Sequence, residues 1–164
     1  MNNDDVTAEL AQPAARHLLE TATLCHLAYN GADGLPRVIP VAYHWTGSAA
    51  VICTATTAPK VRALTARPDV ALTIDGGGDT PAGVKSIMIR GRATLDTVDG
   101  IPEEYLRATT KSMRGAAPAE FAEAVRRMYP QMVRIAVTPR WARFFDYGGG
   151  RIPGFLAELA RKAG

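Results

Sequence analysis

Two tight-turn signals near the N-terminus restrict this part of the chain to antiparallel strands. An Asp-Gly pair at 33–34 separates two apolar runs, residues 24–29 and 36–45, and a turn at 46–48 leads to a third run at 49–56. Asp-Gly between apolar runs is a strong hairpin signal, because the central residues of such a turn need positive φ. We therefore expect these three runs to form an antiparallel meander.

Further strands and several helices are predicted along the rest of the chain. Short apolar or alternating runs predict strands at 70–75, 86–95, 133–137 and 143–147. Prolines near a first turn and helical periodicity predict helical turns over 5–21, interrupted at Pro13, which is placed to open a helix, and further helices at 58–66, 102–112, 118–129 and 155–161. About six or seven strands at short spacing with peripheral helices predict an α+β fold, a small antiparallel barrel with helical additions.

Length and composition are those of one globular domain. The chain has 164 residues, of which 47% are hydrophobic and 21% are charged, and this is ordinary globular composition. It shows neither an internal repeat nor a linker. We expect a single domain over residues 1–164, with residues 1–15 and 153–164 as peripheral tails.

Charge and hydropathy argue against two classes of partner. The net charge is +3, from 19 basic and 16 acidic residues, and the arginines are spread along the chain, so we expect no nucleic-acid partner. The uncharged stretch 38–59 is interrupted by Pro40 and Gly47, so we expect no membrane span. The N-terminus carries Asp4 and Asp5 where a secretory signal has basic residues, which predicts no export.

The cysteines and histidines show no arrangement that would support catalysis or metal binding. Cys25 and Cys53 stand apart in apolar surroundings, which predicts reduced thiols in a cytoplasmic protein rather than a zinc site. His17, His26 and His44 lack metal-ligand spacing. We expect no metal site and no catalytic side chain, so a bound cofactor would have to supply any redox chemistry.

Two cations stand where a phosphate could bind. Thr57 is the predicted N-cap of the helix at 58–66, and Lys60 occupies the third position, where a capping box has an acid. Free N–H groups and a lysine at a helix start can bind a phosphate. Arg37 begins the second strand, close in register to the end of the third, and its planar fork would complement the lysine. The alternative is that both cations are simply solvated.

An ordered series of short motifs identifies a family. The series comprises residues 24–29, the Asp-Gly turn, 36–41, 54–56, 60–64, 67–70, 89–93 and 132–137. Together these motifs resemble the pyridoxamine 5'-phosphate oxidase-like family of flavin-binding split barrels, over about residues 18–153. The resemblance implies a split antiparallel β-barrel and a homodimer that holds FMN in a groove at its interface.

The resemblance also implies a set of cofactor contacts. Arg37 and Lys60 correspond to phosphate ligands, and Val38 and Ile39 to the strand beside the isoalloxazine ring. The strand end near the phosphate and ribityl chain corresponds to Thr54, Ala55 and Thr56. Trp141 and Arg151 correspond to contributions from the second subunit.

The function implied is that of an oxidoreductase that passes hydride through FMN to a small-molecule substrate. Residues 141–154 lack the arginine-rich signature for pyridoxine phosphate, which argues against vitamin B6 oxidation. Related deazaflavin reductases often carry a basic residue at the position of Ala58, so FMN is favoured over coenzyme F420. Two alternatives stay open: an F420-dependent reductase, and a non-catalytic protein that stores or senses flavin or haem.

Overall fold

The structure, a computed structural model, describes residues 1–78, 80 and 83–163, so residue 164 of the predicted C-terminal tail lies outside the described residues. The strands within this part are β1 (Leu24–Asn30), β2 (Pro36–Ala42), β3 (His44–Trp45), β4 (Ala50–Ala55), β5 (Asp69–Gly77), β6 (Val84–Asp99) and β7 (Gln131–Asp146). The helices are α1 (Asn3–Leu10), α2 (Pro13–Thr21), α3 (Pro59–Ala66), α4 (Glu103–Thr109), α5 (Ala117–Met128) and α6 (Gly154–Ala163). The predicted α+β class is confirmed.

The sheet closes on itself through one bent strand. The strand order is β2-β1-β5-β6-β7-β4-β3, and its two ends, β2 and β3, are separated along the chain only by Tyr43. The buried Tyr43 hydroxyl donates a hydrogen bond to the carbonyl oxygen of Leu19 at 2.7 Å, which fixes the bend. The two edges are therefore joined covalently, as in a split barrel.

The predicted meander is wrong in one respect. β2 pairs with β1 along its whole length, but β4 pairs only with the two residues of β3 and, on its other side, with β7. The chain therefore passes from one edge of the sheet to the other within the run at 36–45. The bend at Tyr43 separates β2 from β4, which we expected to be neighbours.

The barrel core follows the alternation of the strands. Side chains that point inward from β1, β4, β5, β6 and β7 are fully buried, as at Leu27, Ile52, Leu72, Ile89 and Ile135. α1 and α2 close one side of this core, and α1 packs against β7. The described residues include no helix whose length and hydropathy would let it span a bilayer.

A β-bulge interrupts the long β6–β7 ladder. Arg90 lies opposite Trp141 and Gly91 lies opposite Pro139, so Arg140 is an extra residue on β7. A Cβ on Gly91 would stand 2.4 Å from the carbonyl oxygen of Thr138, so only glycine fits the close approach of the two backbones. The two final strands expected on either side of Pro139 are thus one bulged strand.

Candidate functional site

The split in the barrel leaves one edge of β4 without a full-length strand partner. β3 pairs only with Ala50 and Val51 on that edge, and the following residues of β4 have no second strand beside them in the described part of the chain. Thr54 and Ala55, both half-buried, form the end of the strand, and the exposed Thr56 stands in the turn that follows. The end of β4 and its turn are therefore the part of the strand nearest to the start of the next helix.

The turn after β4 leads directly into α3. The helix begins at Pro59 with Ala58 as its N-cap, so the prediction of Thr57 as the cap is wrong. Proline is preferred at the first helical position because its missing N–H is not needed there, and this moves the cap by one residue. Ala58 has no side chain that could accept from the first-turn N–H groups, and the first turn holds no acid.

Lys60 is the second residue of α3 and is half-buried. Burial lowers the pKa of its ammonium group, because the charged form loses hydration. Among the described residues no carboxylate pairs with it. A cation against the positive end of a helix, without a carboxylate between them, is stabilised when an anion binds there.

Arg37 reaches the same end of the barrel but is engaged with its own turn. It lines a cavity of about 320 Å³ together with Pro59 and Arg62 of α3. Its guanidinium donates to the Asp33 carboxylate at 2.5 Å, and that hydrogen bond lowers the pKa of Asp33. The structure therefore places Arg37 beside Pro59 and Arg62, but Lys60 does not line this cavity. The charge of Arg37 is balanced by Asp33. A phosphate role for Arg37 stays a prediction.

Val38 and Ile39 face opposite sides of the sheet. Val38 is 64% exposed on the outer face, opposite Ala28 of β1. Ile39 is half-buried and packs against the barrel core. Of these two residues only Val38 presents its side chain to a ligand on the outer face.

Trp141 and Arg151 lie elsewhere in the chain, around a cleft of about 410 Å³ beside β7. Trp141 supports the guanidinium of Arg90, which is 4.2 Å from the ring centroid. Arg151 donates to the buried carboxylate of Glu9 at 2.7 Å. Neither residue lines the cavity that Arg37 shares with Pro59 and Arg62.

The family model described as pyridoxamine 5'-phosphate oxidase matches residues 12–143. The chain belongs to this family. The comparison with curated proteins finds no match.

Solved structures with a similar fold include proteins that are named for different ligands. An F420 reductase is 27% identical, with a TM-score of 0.58 and coverage of 77% of this chain and 94% of that one. An FAD-binding protein from Mesorhizobium loti is 17% identical, with a TM-score of 0.54 and coverage of 80% and 89%. HutZ, the heme storage protein from Vibrio cholerae, is 14% identical, with a TM-score of 0.59 and coverage of 82% and 93%. The last two likenesses show the shared fold.

Helix α4 covers the split and places a histidine beneath it. α4 packs against β2, β3 and β4, and Glu104 accepts from Arg134 of β7 at 2.9 Å. His44 is half-buried below this helix, and its pKa is lowered first by burial and then by the charges of Arg107 and Lys111. Glu104 and Glu103 oppose that shift.

This lowered pKa predicts a pH-dependent contribution to stability. The folded protein resists protonation of His44, whose ordinary pKa is 6.5, whereas the unfolded chain accepts it. The contribution of neutral His44 is therefore complete above pH 6.5 and decreases as the pH falls toward the folded pKa. We expect His44→Gln to lose less stability between neutral and mildly acidic pH than wild type does. Urea unfolding of wild type and His44→Gln across this pH range measures the difference. An equal loss of unfolding free energy in both proteins would contradict the prediction.

Sequence reasoning missed three charged residues that the structure places at notable positions. Arg90 and Arg140 line one groove at the β-bulge, and this depends on the register of β6 and β7, which no local sequence pattern reports. Glu9 is buried and holds β7. A glutamate in a predicted helix is expected to be solvated, and the partners of Glu9, Phe144 and Arg151, lie far away in the sequence.

Proposed function

We propose that this chain is an FMN-binding oxidoreductase that acts on a small-molecule substrate. One observation carries the proposal. Lys60 is a half-buried cation without a carboxylate partner in the described structure, at a helix start without a side-chain cap, just after the end of β4. This donor set is suited to a phosphate monoester.

The proposed contacts follow from the positions of the side chains. Lys60 and the first-turn N–H groups of α3 would hold the phosphate. The hydroxyl groups of Thr54 and Thr56 precede them along the chain and would reach the ribityl chain, while Val38 would lie beside the ring. A bound flavin supplies hydride transfer, and the protein orients it and limits its contact with water.

We further propose a homodimer with the cofactor at its interface. Three outward side chains on one face of the sheet, Leu24 of β1, Val38 of β2 and Met88 of β6, are 49%, 64% and 43% exposed. The second copy of the proposed dimer would bury these apolar side chains. In a two-fold dimer, Trp141 and Arg151 of the second copy would contribute to the cofactor site at the start of α3.

A deazaflavin is the second candidate cofactor, because the F420 reductase covers 77% of this chain at 27% identity. Both cofactors carry a phosphate, so Lys60 would serve either one. Ala58, the N-cap, offers no second cation beside it, and this keeps FMN as the first proposal.

The absorption spectrum of the purified protein, with the released ligand identified by mass, tests the proposal. We expect the two-band flavin spectrum, or saturable binding when the colourless protein is titrated with FMN. Nicotinamide-dependent reduction of bound FMN should be faster than that of free FMN. A single deazaflavin band would replace FMN with the second candidate. Binding of haem alone, or of none of the three, would contradict both.

A further inference from the structure

A groove crosses the outer face of the barrel. Directly opposed residues of antiparallel strands share one face, and the register sets Val38, Ala28, Ala71, Arg90 and Trp141 in one row across five strands. The middle of the row has only methyl side chains. Val38 stands at one end, and at the other end the Arg90 guanidinium lies on the Trp141 ring at 4.2 Å.

The β-bulge adds a second guanidinium to this end of the groove. Regular alternation would send Arg140 to the face opposite that of Trp141. Because Arg140 is the extra residue of the bulge, its side chain lines the same groove as Arg90, a groove of about 420 Å³. Bulges redirect side chains in this way and are frequent beside functional sites.

The side chains around this groove carry an excess of positive charge. Asp69 is the only carboxylate among its described lining residues, and it lies 3.4 Å from Arg92 and 3.9 Å from Arg140. Arg90 has no ion-pair partner in the described part of the chain. The groove thus combines a methyl-lined floor, the Arg90 guanidinium held against the Trp141 ring, and an excess of positive charge.

We propose that this groove binds a planar organic anion, with its ring over Ala28 and Ala71 and its carboxylate on Arg90 and Arg140. This inference rests on the proposed function, for which it names the substrate class. In the proposed homodimer the outer face meets the partner, so the groove lies in the interface near the cofactor. A planar anion could also be the cofactor itself, and the experiment separates the two.

Calorimetric titration of the full chain with 2-naphthoate and 2-naphthamide tests the proposal, with and without saturating FMN. The two probes share a ring system and differ in charge. We expect naphthoate to bind about tenfold more tightly than naphthamide, as a charge-assisted hydrogen bond in a partly exposed groove provides. Arg90→Gln and Arg140→Gln should each remove most of this ratio. Arg161→Gln, which removes a charge from α6, should leave it unchanged.

Three outcomes would overturn the proposal. Displacement of naphthoate by FMN would assign the groove to the cofactor. An equal loss in Arg161→Gln would show that net charge alone attracts the probe, and equal binding of both probes by the wild type would show that no anion site exists. Failure of FMN to bind, with the naphthoate preference intact, would contradict the proposed function and leave the anion groove supported.

Discussion

Replacing Lys60 with alanine is expected to weaken FMN binding by about 1.5–3 kcal/mol, or roughly 10- to 150-fold, with little change in stability. The lysine is half-buried, and burial lowers the pKa of its ammonium group. An anion bound at the start of α3 would relieve both the cost of desolvation and the repulsion from the helix dipole. The ammonium group itself makes no ion pair in the described structure, so the folded protein loses little without it.

Flavin fluorescence titration of wild type and variant measures this effect. Lys162→Ala is the matched control, because it removes the same charge from an exposed position on α6. Arg37→Ala is the comparison variant, and we expect a smaller loss because Asp33 already balances that guanidinium. Unchanged affinity in Lys60→Ala would remove the phosphate site from α3, and an equal loss in Lys162→Ala would reduce the effect to net charge.

The sequence predicts the number and order of the strands better than their partners. Apolar alternation and the Asp-Gly turn define each strand locally, and β1 and β2 pair as the turn requires. The partner of β4 depends on the bend at Tyr43, which is fixed by a hydrogen bond to the Leu19 carbonyl. Such a contact joins residues far apart in sequence, so no local pattern reports it.

The candidate site likewise combines local features that the sequence predicts with long-range features that it does not. The acid-free first turn of α3 is a local feature and was predicted correctly. The pairing of Arg37 with Asp33 is also local, since only a turn separates them, and their opposite charges were an available signal. The bulge that adds Arg140 to the Arg90 groove was not predictable, because it depends on the register of two sixteen-residue strands.

Glu9 connects the N-terminal helix to the strand that carries Trp141. Its carboxylate accepts from the backbone N–H of Phe144 and from the Arg151 guanidinium, both at 2.7 Å. Residues 1–15, expected as a peripheral tail, thus include a helix with a buried carboxylate. The loop that places Arg151 is held by the same group. One side chain of α1 therefore positions both the strand and the arginine.

Glu9→Ala is expected to lower the free energy of unfolding by about 2–3 kcal/mol. Most of this loss comes from the buried N–H of Phe144, which would be left without an acceptor. Arg151 contributes less, because its side chain is 41% exposed and water can solvate it. Urea unfolding followed by circular dichroism measures the difference, with Glu20→Ala as a control for loss of an exposed carboxylate.

Glu9→Gln separates the hydrogen bond from Phe144 from the ion pair with Arg151. A glutamine oxygen can still accept from Phe144 but carries no charge for Arg151, so we expect it to recover most of the stability lost in Glu9→Ala. Equal losses in both variants would mean that the ion pair with Arg151 dominates. Arg151 would then be a structural residue of the C-terminal loop, and its predicted contact with the cofactor of a second subunit would require this ion pair to break.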